Sequence, residues 1–278
     1  MNIIYVANRP GLAAYSGPVQ DYIDRVIAAD VAAGNTLGLE NGVKDAYDVF
    51  IRACIDAGFL GTSGGVLSQS NSLIKVAPIM AGAQTIQGAL VPLVGNALTR
   101  LGTLSGWNYN RKTGIRGNGT DNAINSSRNN NADPQNNKHM AVNLSTAMSG
   151  TVAAMGAQTV SPASQSLIYS FADGLDMRIN STIGGGVSPN NLSGFLGVAR
   201  STSSSLAFQS NTVASTASNT STTPNALPIY ILARNLDGVV SIPTTARANF
   251  FSIGESVNLS ALQPLVTTLL ASISASIP

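Results

Sequence analysis

The chain has 278 residues, 44% of them hydrophobic and only 10% charged, with a formal net charge of +2. Disorder normally needs high charge and low hydrophobicity, so this composition predicts a packed core. It also argues against a nucleic-acid binder, which shows a basic stripe, and one cysteine (Cys54) with one histidine (His139) excludes a disulfide framework and any site needing two imidazoles.

Residues 1–17 read as an extended arm ending at the Ser16-Gly17-Pro18 break. Its start, Met1-Asn2-Ile3-Ile4-Tyr5-Val6, lacks the basic beginning and long apolar run of a secretory signal, so the expected route is cytoplasmic assembly and release by lysis. Val19 to Ala33 then has helical spacing, and Gly34-Asn35 stops it. A second helix is expected from about Leu37 to Ala57. Its apolar stripe is Leu39, Val43, Ala46, Tyr47, Phe50, Ile51, Cys54 and Ile55. Lys44, Asp45, Asp48, Arg52 and Asp56 fill the other face, and Gly58 ends the helix. The two helices predict an antiparallel hairpin with an acidic polar face, used for docking or oligomerisation. Residues 1–57 carry a net charge of −3 and residues 58–278 carry +5.

After Gly58 the texture changes to Gly, Ser, Thr and Asn, and helical periodicity ends. Val76 to Leu98 is uncharged, yet Pro78, Pro92, Gln84, Gln87 and several glycines break it as a membrane span, which needs about 20 apolar residues. Strands are expected at Leu73–Val76, Ile115–Arg116, Met140–Leu144, Ser166–Phe171, Met177–Thr182, Gly194–Arg200, Ser205–Gln209, Ile229–Arg234 and Ala248–Ile253. Many short strands with turn-rich links predict an antiparallel sandwich or barrel, and the lack of strand–helix alternation argues against a parallel α/β fold. The chain closes on a helix with the stripe Leu262, Leu265, Val266, Leu269, Leu270 and Ile273. Ser260 is the expected cap, and Pro264 falls in the first turns, where a missing donor costs least. This C-terminal segment is uncharged from Ser256 onward, but Asn258, Gln263 and its hydroxyl residues argue against membrane insertion.

Residues 107–137 hold ten asparagines. Asn and Gly tolerate positive φ and bond local backbone, so ordered turns linking strands are the expectation there. The glycines lack the Lys-Ser/Thr spacing of a phosphate loop. Asn129, Asn131 and Asp133 alternate and could offer oxygens to Ca²⁺. A calcium loop adds a glycine at its sixth place and a glutamate at its twelfth. Pro134 and Met140 stand there, so an Asx-turn array is preferred and no cofactor is expected. Asp173 and Asp176 are the close acid pair outside the helices. Paired carboxylates could serve glycoside hydrolysis, but Asp173-Gly174 reads more simply as a hairpin turn. His139 and Cys54 read as structural core groups. If glycans bind, the aromatic and amide side chains Trp107, Tyr109, Asn129, Asn130 and Asn131 are the candidate ligand-binding set, with Trp107 equally a core residue. The Asn-x-Ser/Thr triplets, such as those at Asn118 and Asn143, are expected by chance in so Asn-rich a chain.

Three stretches carry a resemblance. The first is Gly194-Phe195-Leu196-Gly197-Val198-Ala199-Arg200 with the following strand Leu206-Ala207-Phe208. The second runs from Ile229-Tyr230-Ile231-Leu232-Ala233-Arg234-Asn235 to Ala246 through Ser256, where a strand leads into Gly254-Glu255-Ser256 and the final helix. The third is Asn108-Tyr109-Asn110-Arg111-Lys112-Thr113-Gly114 through Gly119. Together they resemble the concanavalin A-like (laminin-G-like) β-sandwich modules of virion proteins of tailed bacteriophages, including cyanophages. The resemblance covers about residues 63–278, leaving 1–62 as the arm and docking hairpin. It implies a mainly β, antiparallel jelly-roll sandwich and a non-enzymatic virion structural protein. A tail fibre or receptor-contacting appendage is its first form, and a capsid decoration protein of the same fold its second. A carbohydrate-active enzyme or soluble lectin is the remaining alternative. Implied partners are other virion proteins, further copies of the chain and a host surface glycan. Catalytic relatives in the broader class carry a Glu-x-Asp-x-x-Glu strand. Neither Glu40 nor Glu255 has an acidic partner at that spacing, so no activity transfers.

Overall fold

The computed structural model describes residue 15 and residues 17–160, 164–188 and 191–278. The expected N-terminal arm lies almost wholly outside the described residues. The first helix, α1, is Pro18–Ala32, with proline in its first turn, where its missing N–H is not needed. The second, α2, is Asn41–Asp56. It starts later than Leu37, because Gly38 (φ 69°) turns the chain before it. Tyr22 and Tyr47 meet edge to face between α1 and α2, with ring centroids 5.3 Å apart.

A small hairpin follows, β1 (Gly61–Ser63) with β2 (Val66–Ser68). Then come β3 (Ile74–Pro78), the short helix α3 (Ile86–Ala89), β4 (Pro92–Val94) and β5 (Thr99–Leu101). The asparagine-rich segment holds β6 (Asn108–Asn110), β7 (Gly114–Arg116) and β8 (Ala123–Asn129), then leads to β9 (Lys138–Leu144). The remaining strands are β10 (Val152–Thr159), β11 (Ser164–Phe171), β12 (Gly174–Arg178), β13 (Gly194–Arg200), β14 (Ser205–Ser210), β15 (Val213–Ser218), β16 (Pro228–Ile231), β17 (Arg234–Leu236), β18 (Val239–Ser241) and β19 (Arg247–Gly254). The chain ends in α4 (Leu259–Ser276).

The fold is mainly β and forms an antiparallel sandwich. One sheet has the order β15-β14-β13-β9-β19-β3-β4, with the β6–β7 hairpin joined through β7 to β19. The other runs β12-β11-β10-β16-β8-β5, with β17 and β18 attached beside β10. The β10–β17 pair is parallel, against the antiparallel rule elsewhere, because the chain reverses at Leu232 (φ 65°) between β16 and β17. The same reversal splits the strand expected over Ile229–Arg234.

The central strands of the larger sheet are buried along nearly their whole length, on both faces. The second sheet covers one face. Helices α2 and α4 cover the other, with α4 crossing β13 and β14 and lying along α2. Phe50 of α2 meets Phe250 of β19 edge to face at 5.8 Å. At Gly197 a Cβ would sit 3.1 Å from the Leu259 side chain, so the bare backbone lets α4 approach β13. Helices and both sheets thus share one continuous buried cluster, from Val19 through Phe195 to Ile273.

Several local expectations are corrected. The cap of α4 is Asn258, whose side chain accepts from the Ala261 N–H at 3.2 Å, while Ser260 Oγ instead donates to Gln209. The β11–β12 hairpin turns on Ala172 and Asp173, both with positive φ, one residue before the expected Asp-Gly pair. The strand expected over Met177–Thr182 ends at Arg178, since Asn180 has φ 48°. The acidic face of the hairpin is also reduced. Asp30 is buried and accepts from the N–H groups of Gln84 and Thr85, and Asp48 pairs with Arg52. Helix α4 is uncharged and long enough by composition to cross a membrane, but Leu262, Val266, Leu269 and Ile273 are buried against the rest of the protein.

Replacing Phe50 by alanine removes a buried ring from the junction of helix and sheet and should cost about 3–5 kcal/mol. Urea unfolding measures it. The double variant with Phe250→Ala should lose less than the sum of the two single losses, because the rings contact each other.

Candidate functional site

The motif from Asn108 to Gly119 folds as the β6–β7 hairpin. Asn110 Oδ1 accepts from the N–H groups of Lys112 and Thr113, an Asx-type turn. Gly114 has φ 97°, and a Cβ there would lie 2.2 Å from the Ala248 carbonyl oxygen. The side chains that follow reach into the helical layer. The Tyr109 hydroxyl donates to the Ala83 carbonyl at 2.8 Å. Arg111 donates to the carbonyls of Gly82 and Ala83 and forms a two-point ion pair with Glu40, at the start of α2. That pairing holds the Glu40 carboxyl below its ordinary range, and burial pushes the Tyr109 phenol up. Tyr109 is therefore a clamp between hairpin and helices, not an open ligand contact. Trp107 is half-buried against the core, and its indole N–H has no hydrogen-bond partner.

The asparagine triplet lies in the other sheet, at the end of β8 and in the helical turn Asn130–Ala132. Asn130 is fully buried. Its backbone oxygen and Oδ1 both accept from Lys138 Nζ, at 2.5 and 2.7 Å. Asn129 and Asn131 are exposed. Asp133 is buried and grips Arg128. The five expected ligand residues therefore do not converge. Trp107 and Tyr109 belong to the β6–β7 branch of one sheet, and Asn129, Asn130 and Asn131 lie on the other. A calcium ion at Asn129, Asn131 and Asp133 would have to displace the Arg128 guanidinium. Among the described residues, no cluster of three or more His, Cys, Asp or Glu side chains could hold a metal.

The triplet belongs instead to a buried cationic centre that the sequence reading missed. Lys138 and Arg200 stand directly opposite each other on β9 and β13, both fully buried. Arg200 donates to the Ile179 carbonyl, the Asn219 carbonyl and Asn219 Oδ1. Neutral amides and carbonyls supply most of the compensation for two buried cations. Burial pushes the Lys138 amine down to about 7, with Asp133 opposing the shift. The one visible signal was a cation at the end of each otherwise apolar run.

Asp173 and Asp176 have separate partners. Asp173 Oδ1 accepts from the Gly150 N–H at 2.7 Å, and Asp176 is bound at two points by Arg178. Cys54 is buried on α2, and burial pushes its thiol up. His139 is buried between Glu255 and Ser252. Its Nδ1 lies 2.6 Å from the Glu255 carbonyl oxygen, so it carries the proton, and Nε2 lies 3.0 Å from Ser252 Oγ. Burial pushes the ring down to about 4.

Open grooves also occur among the described residues. One, of about 380 Å³, lies between β14–β15 and the start of α4 and is lined by Phe208, Gln209, Thr216, Leu259 and Ser260, with no ionisable group. Another, of about 430 Å³, lies beside α3 and β5 and contains one cation, Arg100.

No family model matches the chain, and no curated protein sequence matches it. Among solved structures, it is similar to a mutant Trypanosoma rangeli sialidase displaying trans-sialidase activity, at 10% identity and a TM-score of 0.49, over 82% of this chain and 38% of that one. The Trypanosoma rangeli sialidase bound to 2,3-difluorosialic acid gives 9% identity and a TM-score of 0.45, over 80% of this chain and 38% of that one. Domain 4 of AbnA, an extracellular arabinanase from Geobacillus stearothermophilus in complex with arabinotriose, gives 14% identity and a TM-score of 0.36, over 62% of this chain and 82% of that one. The chain thus spans about 38% of the length of these sialidases. No residue's role is carried over from any of them.

His139 supplies a pH test. The unfolded ring takes a proton below its ordinary value of 6.5, whereas the folded ring stays neutral down to about 4. The unfolded state binds more protons across that window, so stability falls as pH drops from 6.5 to 4. The urea midpoint of the wild type should fall over this range more steeply than that of His139→Gln. Parallel curves would show that the imidazole is not held neutral.

Proposed function

We propose that the chain is a non-catalytic structural subunit of a bacteriophage virion, a fibre or receptor-contacting appendage that assembles with its own copies and other virion proteins and meets a host surface glycan. The observation that carries this reading is where the acids go. Glu40 clamps Arg111, Glu255 pairs with Lys75 at 2.9 Å, Asp133 holds Arg128, Asp176 holds Arg178, and Asp30 is buried against Thr85. Glu40, Glu255 and Asp30 hold one part of the fold against another, and Asp133 and Asp176 are engaged by a nearby arginine. General acid–base chemistry needs a carboxyl within reach of substrate, and none of these five is placed for it.

The resemblance to phage virion modules supports the same reading. Its more specific ending, the Gly254-Glu255-Ser256 link into the last helix, and the stretch Asn108 to Gly119 are both places where the sandwich is fastened to its helical layer. A surface of Ser, Thr and Asn relies little on ion pairs that salt would screen, which suits a particle exposed to variable salt. A decoration protein of the same fold differs from a fibre in copy number. Mass spectrometry of purified particles should find the chain at fibre stoichiometry, a few dozen copies or fewer. Hundreds of copies would select the decoration role, and absence from the particle would end the virion reading. In a reducing-sugar assay on host polysaccharide, wild type and the Asp173→Asn and Asp176→Asn variants should all release nothing. Release abolished by either substitution would favour an enzyme.

A further inference from the structure

The β6–β7–β19 corner carries an arrangement that the fold itself does not account for. Asn108, Arg116 and Arg247 are direct register partners across the three adjacent strands. Directly opposed side chains on neighbouring strands lie on one face with Cβ atoms about 5 Å apart, and like charges so placed destabilise the pair. Arg247 is tied down: it donates to the Gly114 carbonyl at 2.7 Å and to Asn108 Oδ1, so its guanidinium crosses the strand that bears Arg116. Arg116 is exposed, and its side chain makes no hydrogen bond or ion pair with the described residues. Among the described residues, no acid forms an ion pair with either arginine. Burial pushes Arg247 down, and the charge that adds to this is that of Arg116. In a chain with so few charges, two opposed and unneutralised arginines on one exposed row call for an anion from outside.

We propose that Arg116, Arg247 and Asn108 form a binding site for an oxyanion group, carboxylate or sulfate, of an acidic glycan. The glycan part of this assignment rests on the attachment reading above. Guanidinium groups bind carboxylate and sulfate through paired, charge-assisted N–H donors. The rim is polar and hydroxyl-rich: Asn110, Ser145 and Thr146 are exposed beside the row, and Thr146 Oγ1 accepts from the Arg247 N–H. That suits sugar hydroxyls. A single-stranded nucleic acid would want exposed aromatic platforms, and the nearby Trp107 and Tyr109 rings pack inward.

The test uses the full chain on immobilised heparin (sulfated), polygalacturonate (carboxylated), a neutral dextran and duplex DNA, at low and moderate salt. Wild type should bind one or both acidic glycans in a salt-sensitive way and ignore dextran. Arg116→Ala should weaken that binding about tenfold or more, the loss of a charge-assisted contact. Its melting temperature should not fall, because the Arg116 side chain holds nothing else and its removal relieves the repulsion with Arg247. Arg116→Lys should recover part of the affinity, and Arg100→Ala, at the second groove, should bind as wild type does. Unchanged binding in Arg116→Ala, no binding of either acidic glycan by wild type, or preference for duplex DNA would each overturn the proposal. Binding of a neutral glycan that ignores Arg116 would overturn this site but leave the attachment reading standing. Only the particle composition decides that reading's virion part.

Discussion

The structure depends on one constraint: the larger sheet is apolar on both faces and must be covered on both. Strands β9, β13 and β19 are buried almost throughout. A sheet of this kind cannot stand in water with one side open. The second sheet satisfies one side through residues such as Met155, Ile168 and Ile231, and the helices satisfy the other through Phe50, Leu262 and Val266. The helical hairpin and the C-terminal helix are therefore structural necessities of the sandwich.

The scarce charges follow from the same constraint. With a tenth of the residues charged, most polar fastening falls to amides and hydroxyls. Two of the ion pairs join elements distant in sequence. Arg111 reaches from the β6–β7 hairpin to Glu40 at the head of α2, and Lys75 of β3 reaches Glu255 at the exit of β19. Lys138 and Arg200 are the costly exception. Two cations sit opposite each other between the sheets, held largely by Asn130, Asn219 and backbone carbonyls. Burying a cation without an adjacent acid disfavours its charged form, and this is why the Lys138 amine lies so far below its usual value. The Arg116–Arg247 row differs in kind. It is at the surface, where water and an incoming anion can both reach it.

Much of this was legible in the sequence. The stripes of α1, α2 and α4 were plain, because one buried face gives a helix a 3.6-residue period. The strand Gly194–Arg200 was placed to the residue, since its apolar run is uninterrupted. Strand β10 was missed. Its Val-Ala-Ala-Met-Gly-Ala-Gln-Thr is built of small residues with little β-branching, and only packing between β11 and β17 makes it a strand. Strand β8 was hidden in the asparagine-rich segment, where turn chemistry dominated the reading. The site expectations failed for a related reason. Aromatic and amide types are common to ligand sites and to internal fastening, and sequence does not say which way Tyr109 or Asn130 points. The opposed arginines were invisible because their proximity arises from register between residues 131 positions apart.

The central claim is that helices and sheets are one cooperative unit made by covering a two-faced sheet. Native-state hydrogen exchange tests it most directly. The slowest amides of α2, α4, β9, β13 and β19 should exchange through one opening with the free energy of global unfolding. Exchange of α2 and α4 through a separate, lower-energy opening, with the sheet still protected, would contradict it.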